Sequence, residues 1–140
     1  MVTSKDCITK YGPPAADNKW LVLWDVPVEL EIGFIPKRIY CNKDLVVPLT
    51  QAFKNLIDTG CVKEIKTWDG CFNIRKIKGS ESWSLHSRAI AIDVNAFENS
   101  FGAVPKLTPE FVKCFTDAGF DWGGNFKTRT DPMHFQLAKI

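Results

Sequence analysis

A chain of 140 residues with 45% apolar and 12% aromatic content can bury one real core and is too short for a second domain of ordinary size. Its formal net charge of +2, on scattered lysines and arginines, leaves no basic stripe and excludes a nucleic-acid footprint. No stretch approaches the roughly 20 apolar residues of a membrane span, and residues 1 to 7 lack the apolar centre of a signal peptide, so the expectation is a single-domain monomer kept in the cytoplasm, without membrane insertion.

Residues 11 to 19, with Gly12, Pro13, Pro14, Asp17 and Asn18, read as a loop before the apolar segment Trp20 to Val26. Val26, Val28, Leu30 and Ile32 then alternate with Pro27, Glu29 and Glu31, the pattern of a half-exposed strand whose proline favours its edge or its start. Gly33 and Pro36 break it, and Arg38 to Cys41 follows as a short strand. Leu49, Ala52, Phe53, Leu56 and Ile57 recur at helical spacing, which predicts a helix over Leu45 to Thr59 with Pro48 in its first turn and Gly60 as its stop. Val62 to Trp68 reads as a strand, Asp69-Gly70 as a turn and Cys71 to Ile77 as the hairpin partner.

Beyond the polar loop Lys78 to Ser82 comes a further strand. Ala89, Ala91 and Asp93 share one of its faces, while Ile90, Ile92 and Val94 share the other. Thr108 caps a second helix running through Pro109 to Ala118, with Phe111, Val112, Phe115 and Ala118 inward and Gly119 beyond its end. The segment Gly119 to Asn125, rich in glycine and aromatics, suggests backbone packed close to a site or its substrate, and Phe135 to Ala138 forms a final strand. Antiparallel-style turns with two helices, rather than regular alternation, give an α+β fold: helices against a small, mainly antiparallel sheet. Five cysteines without a Cys-x-x-Cys pair argue against both a disulfide framework and a thiolate zinc site.

The chain has two histidines, His86 and His134. A carboxylate on the small-residue face of a buried strand needs a partner, and a turn before that strand can swing His86 back alongside Asp93. Imidazole nitrogens and a carboxylate oxygen suit zinc, and three protein ligands leave a fourth position open for water, as in a catalytic site. His134, in Asp131-Pro132-Met133-His134-Phe135, is the other imidazole available. Each residue also has a plainer reading: a lone histidine as packing, Asp93 as a turn cap with Asn95, Asp131 as the start of an Asp-Pro turn. No His-Glu-x-x-His occurs, so the thermolysin-like zinc proteases are not matched.

The run Ser84, His86, Ala91 and Asp93, followed by Asp131, His134 and Phe135, resembles the zinc D-alanyl-D-alanine carboxypeptidases and L-alanyl-D-glutamate endopeptidases, among them small phage endolysins. Their pattern is Ser-x-His-x-x-Gly-x-Ala-x-Asp, then an acidic residue three positions before a His-Phe pair. Ala89 departs from it, standing where glycine is usual. The run Gly119-Phe120-Asp121-Trp122-Gly123-Gly124 also matches a segment that commonly precedes the last ligand of the family.

The resemblance implies the fold shared with the signalling domain of Hedgehog proteins and one catalytic Zn2+ on His86, Asp93 and His134. Asp131 inherits the catalytic carboxylate. Arg75, in Asn73-x-Arg75-x-Ile77-x-Gly79-Ser80, is expected to bind substrate and meet the developing oxyanion, and Ser84 to brace the His86 loop or touch substrate. Trp122 and Phe126 are as readily core as substrate wall and stay outside the site. A regulatory Ca2+ on Asn95, Asn99 and Asp121 is a further expectation, without a recognised loop spacing.

In function, the resemblance implies a peptidoglycan hydrolase acting on stem peptides at the L-alanyl-D-glutamate bond, a phage endolysin that waits in the host cytoplasm and reaches the wall through a separate holin-type protein. The alternatives are a D-alanyl-D-alanine carboxypeptidase or dipeptidase on the same site, or a non-catalytic zinc-containing module that binds the cell wall.

Overall fold

Thr3 starts the first element of the computed structural model, which describes residues 1–16 and 18–140. Its Oγ1 accepts the Asp6 N–H at 3.2 Å while the Asp6 carboxylate accepts the Thr3 N–H at 2.8 Å, a reciprocal cap that begins α1 (Ser4–Tyr11). The sequence reading assigns no helix here, because only Cys7 and Tyr11 of its eight residues are buried and the apolar periodicity is faint. Asp17, placed by the sequence in the loop that follows, lies outside the described residues.

β1 (Leu21–Asp25) and β2 (Arg38–Asn42) pair antiparallel, Leu23 opposite Tyr40. The strand expected over Val26 to Ile32 is not there. Pro27 has no N–H for a ladder and opens a single 3-10 turn, Val28–Leu30, that leaves Val28 79% exposed while Leu30 and Ile32 are buried. The apparent alternation belongs to a turn.

α2 (Val46–Thr59) matches its expected span, with Leu49, Ala52, Phe53 and Leu56 fully buried and Gly60 in the left-handed conformation at its end. The predicted hairpin after it is corrected. Cys61–Glu64 forms another 3-10 turn, and the short strand β3 (Trp68–Gly70) pairs with β4 (Ala91–Val94) instead of with residues 71–77. Asn73 N–H and Arg75 N–H are satisfied by His86 O and Ser87 Oγ, so this stretch is bound to the His86 turn and has no strand partner beyond a single Lys76–Trp83 bridge.

α3 (Pro109–Thr116) begins at the Thr108 cap as read, and Cys114, rather than Val112, completes its buried face with Phe111 and Phe115. β5 (Phe120–Trp122) and β6 (His134–Leu137) complete an antiparallel sheet in the order β3-β4-β6-β5. The architecture is α+β; among the described residues there are three α-helices rather than two and two small antiparallel sheets rather than one.

Strand alternation divides the larger sheet chemically. Ile92 and Phe135 are cross-strand partners and fully buried, and Phe135 stacks on Phe115 of α3 at 4.4 Å between ring centroids. Phe111 and Phe120 join the same aromatic cluster through edge contacts. Asp93 and His134, also cross-strand partners, point the other way, together with Gln136. The core thus holds rigid the strands whose opposite face carries the polar groups. The five cysteines are free thiols, four buried and Cys61 partly exposed.

Candidate metal centre

His86 reaches this polar face through a tight reversal. Ser84 Oγ accepts the His86 N–H at 3.3 Å and opens a 3-10 turn, Leu85–Arg88, that Ala89 closes in the left-handed conformation at φ 53°, ψ 38°. This is the position where the resembled pattern has glycine, and the positive φ accounts for that preference. Ala89 N–H returns to His86 O at 3.0 Å, which sets the imidazole over β4.

His86 Nε2, Asp93 Oδ1 and His134 Nδ1 form a nearly equilateral triangle: 3.2 Å between the two nitrogens, and 3.2 and 3.3 Å from the oxygen to each. Donor atoms on a tetrahedral zinc with bonds of about 2.0–2.1 Å stand about 3.3–3.4 Å apart, so the spacing fits such an ion. The outer nitrogens decide the tautomers. His86 Nδ1 donates to Cys71 O at 2.8 Å and His134 Nε2 to Gln136 Oε1 at 3.0 Å, which turns both lone pairs inward. Gln136 cannot flip freely, because its Nε2 donates to Val2 O at 3.2 Å. Asp93 Oδ1 is buried without a hydrogen-bond partner, the signature of an atom that a cation would satisfy. Among the described residues, His86, Asp93 and His134 are the one cluster of three metal-binding side chains.

The electrostatics agree. Burial opposes charge on Asp93, but the two imidazoles outweigh it and hold its carboxyl well below the usual carboxylate range. Burial likewise opposes charge on His134, and the adjoining Asp93 carboxylate more than offsets it, raising the imidazole. At Asp131 burial wins: its carboxyl is pushed up, with Asp93 adding and His134 and Arg75 subtracting.

Asp131 stands beside the triangle, its Oδ2 3.9 Å from His134 Nδ1 and its buried Oδ1 without a partner. The turn it starts is made by its carbonyl, which accepts the His134 N–H at 3.0 Å, so the carboxylate remains free for chemistry. Gly123 N-terminal to it in sequence supports it from below: Gly123 O accepts the Asp131 N–H at 2.8 Å, and a Cβ at Gly123 would lie 2.2 Å from Asp131 O. The glycine-aromatic run therefore does pack its backbone against the site.

Arg75 lines the same cleft, of about 380 Å³, with its backbone pinned by Ser84 and Ser87. Ser84 is 6% exposed and braces the His86 turn through its hydroxyl. The calcium expectation finds no support: Asn95 Oδ1 accepts Lys66 and Thr67 N–H, and Asn99 Oδ1 accepts Lys106 N–H, so both amide oxygens are already engaged by backbone. Sequence reasoning missed Phe101, Arg129 and Gln136, which also line the cleft, and left out Phe126, whose ring lies 5.9 Å from that of His134. Gln136 alone was accessible to it, since strand alternation puts it on the face of His134.

Residues 78–137, which hold His86, Asp93, Asp131 and His134, match a family model described as D-alanyl-D-alanine carboxypeptidase. No curated protein and no solved structure matches the chain. The family match and the His-Asp-His cluster support a zinc metallopeptidase.

Proposed function

We propose that the protein is a zinc-dependent peptidoglycan peptidase that cuts stem peptides at the L-alanyl-D-glutamate bond, as a phage endolysin in host cell lysis. The observation that carries the hydrolytic part is the triangle of inward-facing donors beside a half-buried carboxylate with one buried, unpartnered oxygen in the same cleft. The choice of bond and the lytic role rest on the resemblance of the Ser84–Asp93 and Asp131–Phe135 runs to endopeptidases of that type. In that role the chain waits in the host cytoplasm and gains the wall when a holin-type protein opens the membrane.

His86, Asp93 and His134 would hold the zinc. When bound, the ion activates water at a pKa of about 7 and polarises the scissile carbonyl. Asp131 takes the proton of the attacking water and passes it to the leaving amine, a transfer suited to a carboxyl whose affinity for protons burial has raised. Arg75 donates to the carbonyl oxygen as negative charge gathers there. Ser84 keeps the His86 turn closed, so that the imidazole does not have to be reoriented during turnover.

A D-alanyl-D-alanine carboxypeptidase is the second reading, favoured by the description of the matching family model. Digestion of purified Gram-negative peptidoglycan, with and without a zinc chelator, separates the two by mass spectrometry. Chelator-sensitive peptides beginning at D-glutamate are the expected product. Loss of terminal D-alanine alone would move the assignment to the carboxypeptidase, and zinc binding without any product would leave a wall-binding module.

A further inference from the structure

Arg129 has no part in the proposed hydrolysis, yet it lines the cleft as an exposed cation with a defined aromatic neighbour. Its guanidinium carbon lies 4.3 Å from the centre of the Phe101 ring, and its Nε would stand 3.1 Å from a Cβ at Gly102, so the planar group rests on the aromatic face with bare backbone at its side. The two loops that carry this pair are tied together: Gly102 N–H donates to Thr130 O at 2.6 Å, and Thr130 Oγ1 to Ala103 O at 3.3 Å. Among the described residues no carboxylate lies within ion-pair distance of Arg129, whereas Lys10, Arg38, Lys66 and Lys113 each have one at 3.0 Å or closer. A guanidinium seated over a ring and left without an anion retains its planar pair of donors for a ligand.

Its place on the chain says which part of a ligand it meets. Arg129 is two residues from Asp131, on the loop that delivers the proton to the leaving amine. In a peptide cut at an L-alanyl-D-glutamate bond, the carbon bearing that amine also bears a free α-carboxylate, because D-glutamate continues the stem through its side chain. We infer that Arg129, positioned by Phe101, is the subsite for this α-carboxylate. The inference rests on the peptidase reading above and adds to it an acidic residue required on the leaving side of the scissile bond.

The test compares the zinc-loaded protein and its Arg129→Gln variant on a synthetic L-Ala-γ-D-Glu-containing stem peptide and on the same peptide with the α-carboxylate amidated. Affinity of the metal-free proteins for both peptides, measured by calorimetry, gives a readout independent of turnover. The expected result is a preference of the wild-type protein for the acid of about tenfold to a hundredfold in kcat/KM and in affinity. Arg129→Gln should reduce both ratios to near one while leaving the amide unaffected, and Arg129→Lys should restore only part of the preference. Equal losses on both peptides, or an unchanged ratio, would overturn the subsite. Cleavage of acid and amide at equal rates by the wild-type protein would reject the subsite and leave the peptidase reading standing. Preferential binding of the acid without cleavage of either peptide would do the reverse.

Discussion

Burial raises the proton affinity of the Asp131 carboxyl in the metal-free fold, so its ionised form carries a penalty that its chemistry requires. With its folded-state pKa raised, that penalty is present above the folded pKa and is relieved as pH falls through it. Asp131→Asn should therefore retain one zinc per chain and melt at a higher temperature, while kcat falls on the order of a hundredfold or more; metal analysis, calorimetry and wall-hydrolysis kinetics check the three parts. The wild-type activity should lose its acid limb above the usual carboxylate range, where this group takes up its proton. Ala89 offers a milder case at the same scale. At φ 53° it occupies a conformation that costs an alanine about 1–2 kcal/mol, partly offset by the restraint its side chain puts on the unfolded chain. Ala89→Gly should raise stability by about 1 kcal/mol or less in denaturant titration, with zinc affinity unchanged.

Among the elements, those with two chemically distinct faces were legible in the sequence. α2 and α3 each bury a repeating apolar face, and the alternation of Ala91 and Asp93 with Ile92 and Val94 describes a real division between cleft and core. The failures occurred where local pattern and backbone demand part company. Residues 71–77 look like a strand, but the N–H groups of Asn73 and Arg75 are taken up by the His86 turn, a partner that no local pattern announces. The Phe101–Arg129 pair joins two loops far apart in sequence and has no periodicity at all. Gly123 tests how far such a loop holds the site. Gly123→Ala places a Cβ against the Asp131 carbonyl and should cost about 1–3 kcal/mol of stability, while lowering kcat more than zinc content as the carboxylate is displaced.

For the molecule as a whole, the metal site joins a turn, a central strand and a late strand, so zinc should act as a fastener. At free zinc a hundredfold above Kd the stabilisation is about 2.7 kcal/mol, or roughly 9 °C in melting temperature at this chain length. In the metal-free protein, the raised pKa of His134 makes its pairing with Asp93 a stabilising contribution that is complete below the unfolded imidazole value and lost as pH rises through the folded one. The gap in melting temperature between zinc-loaded and chelated protein should therefore widen above neutrality, as differential scanning calorimetry over a pH series would record.

The strand order β3-β4-β6-β5 has a bearing on how the protein is made. β6 lies between β4 and β5 although it follows both in the chain, so the sheet cannot close until the segment carrying His134 has left the ribosome. A nascent chain with everything up to β5 exposed has one imidazole and one carboxylate of the triangle, too few to retain the ion. Until then the metal-binding constellation is incomplete, and the unpaired edge of β4 is the surface that folding factors would meet in the interval.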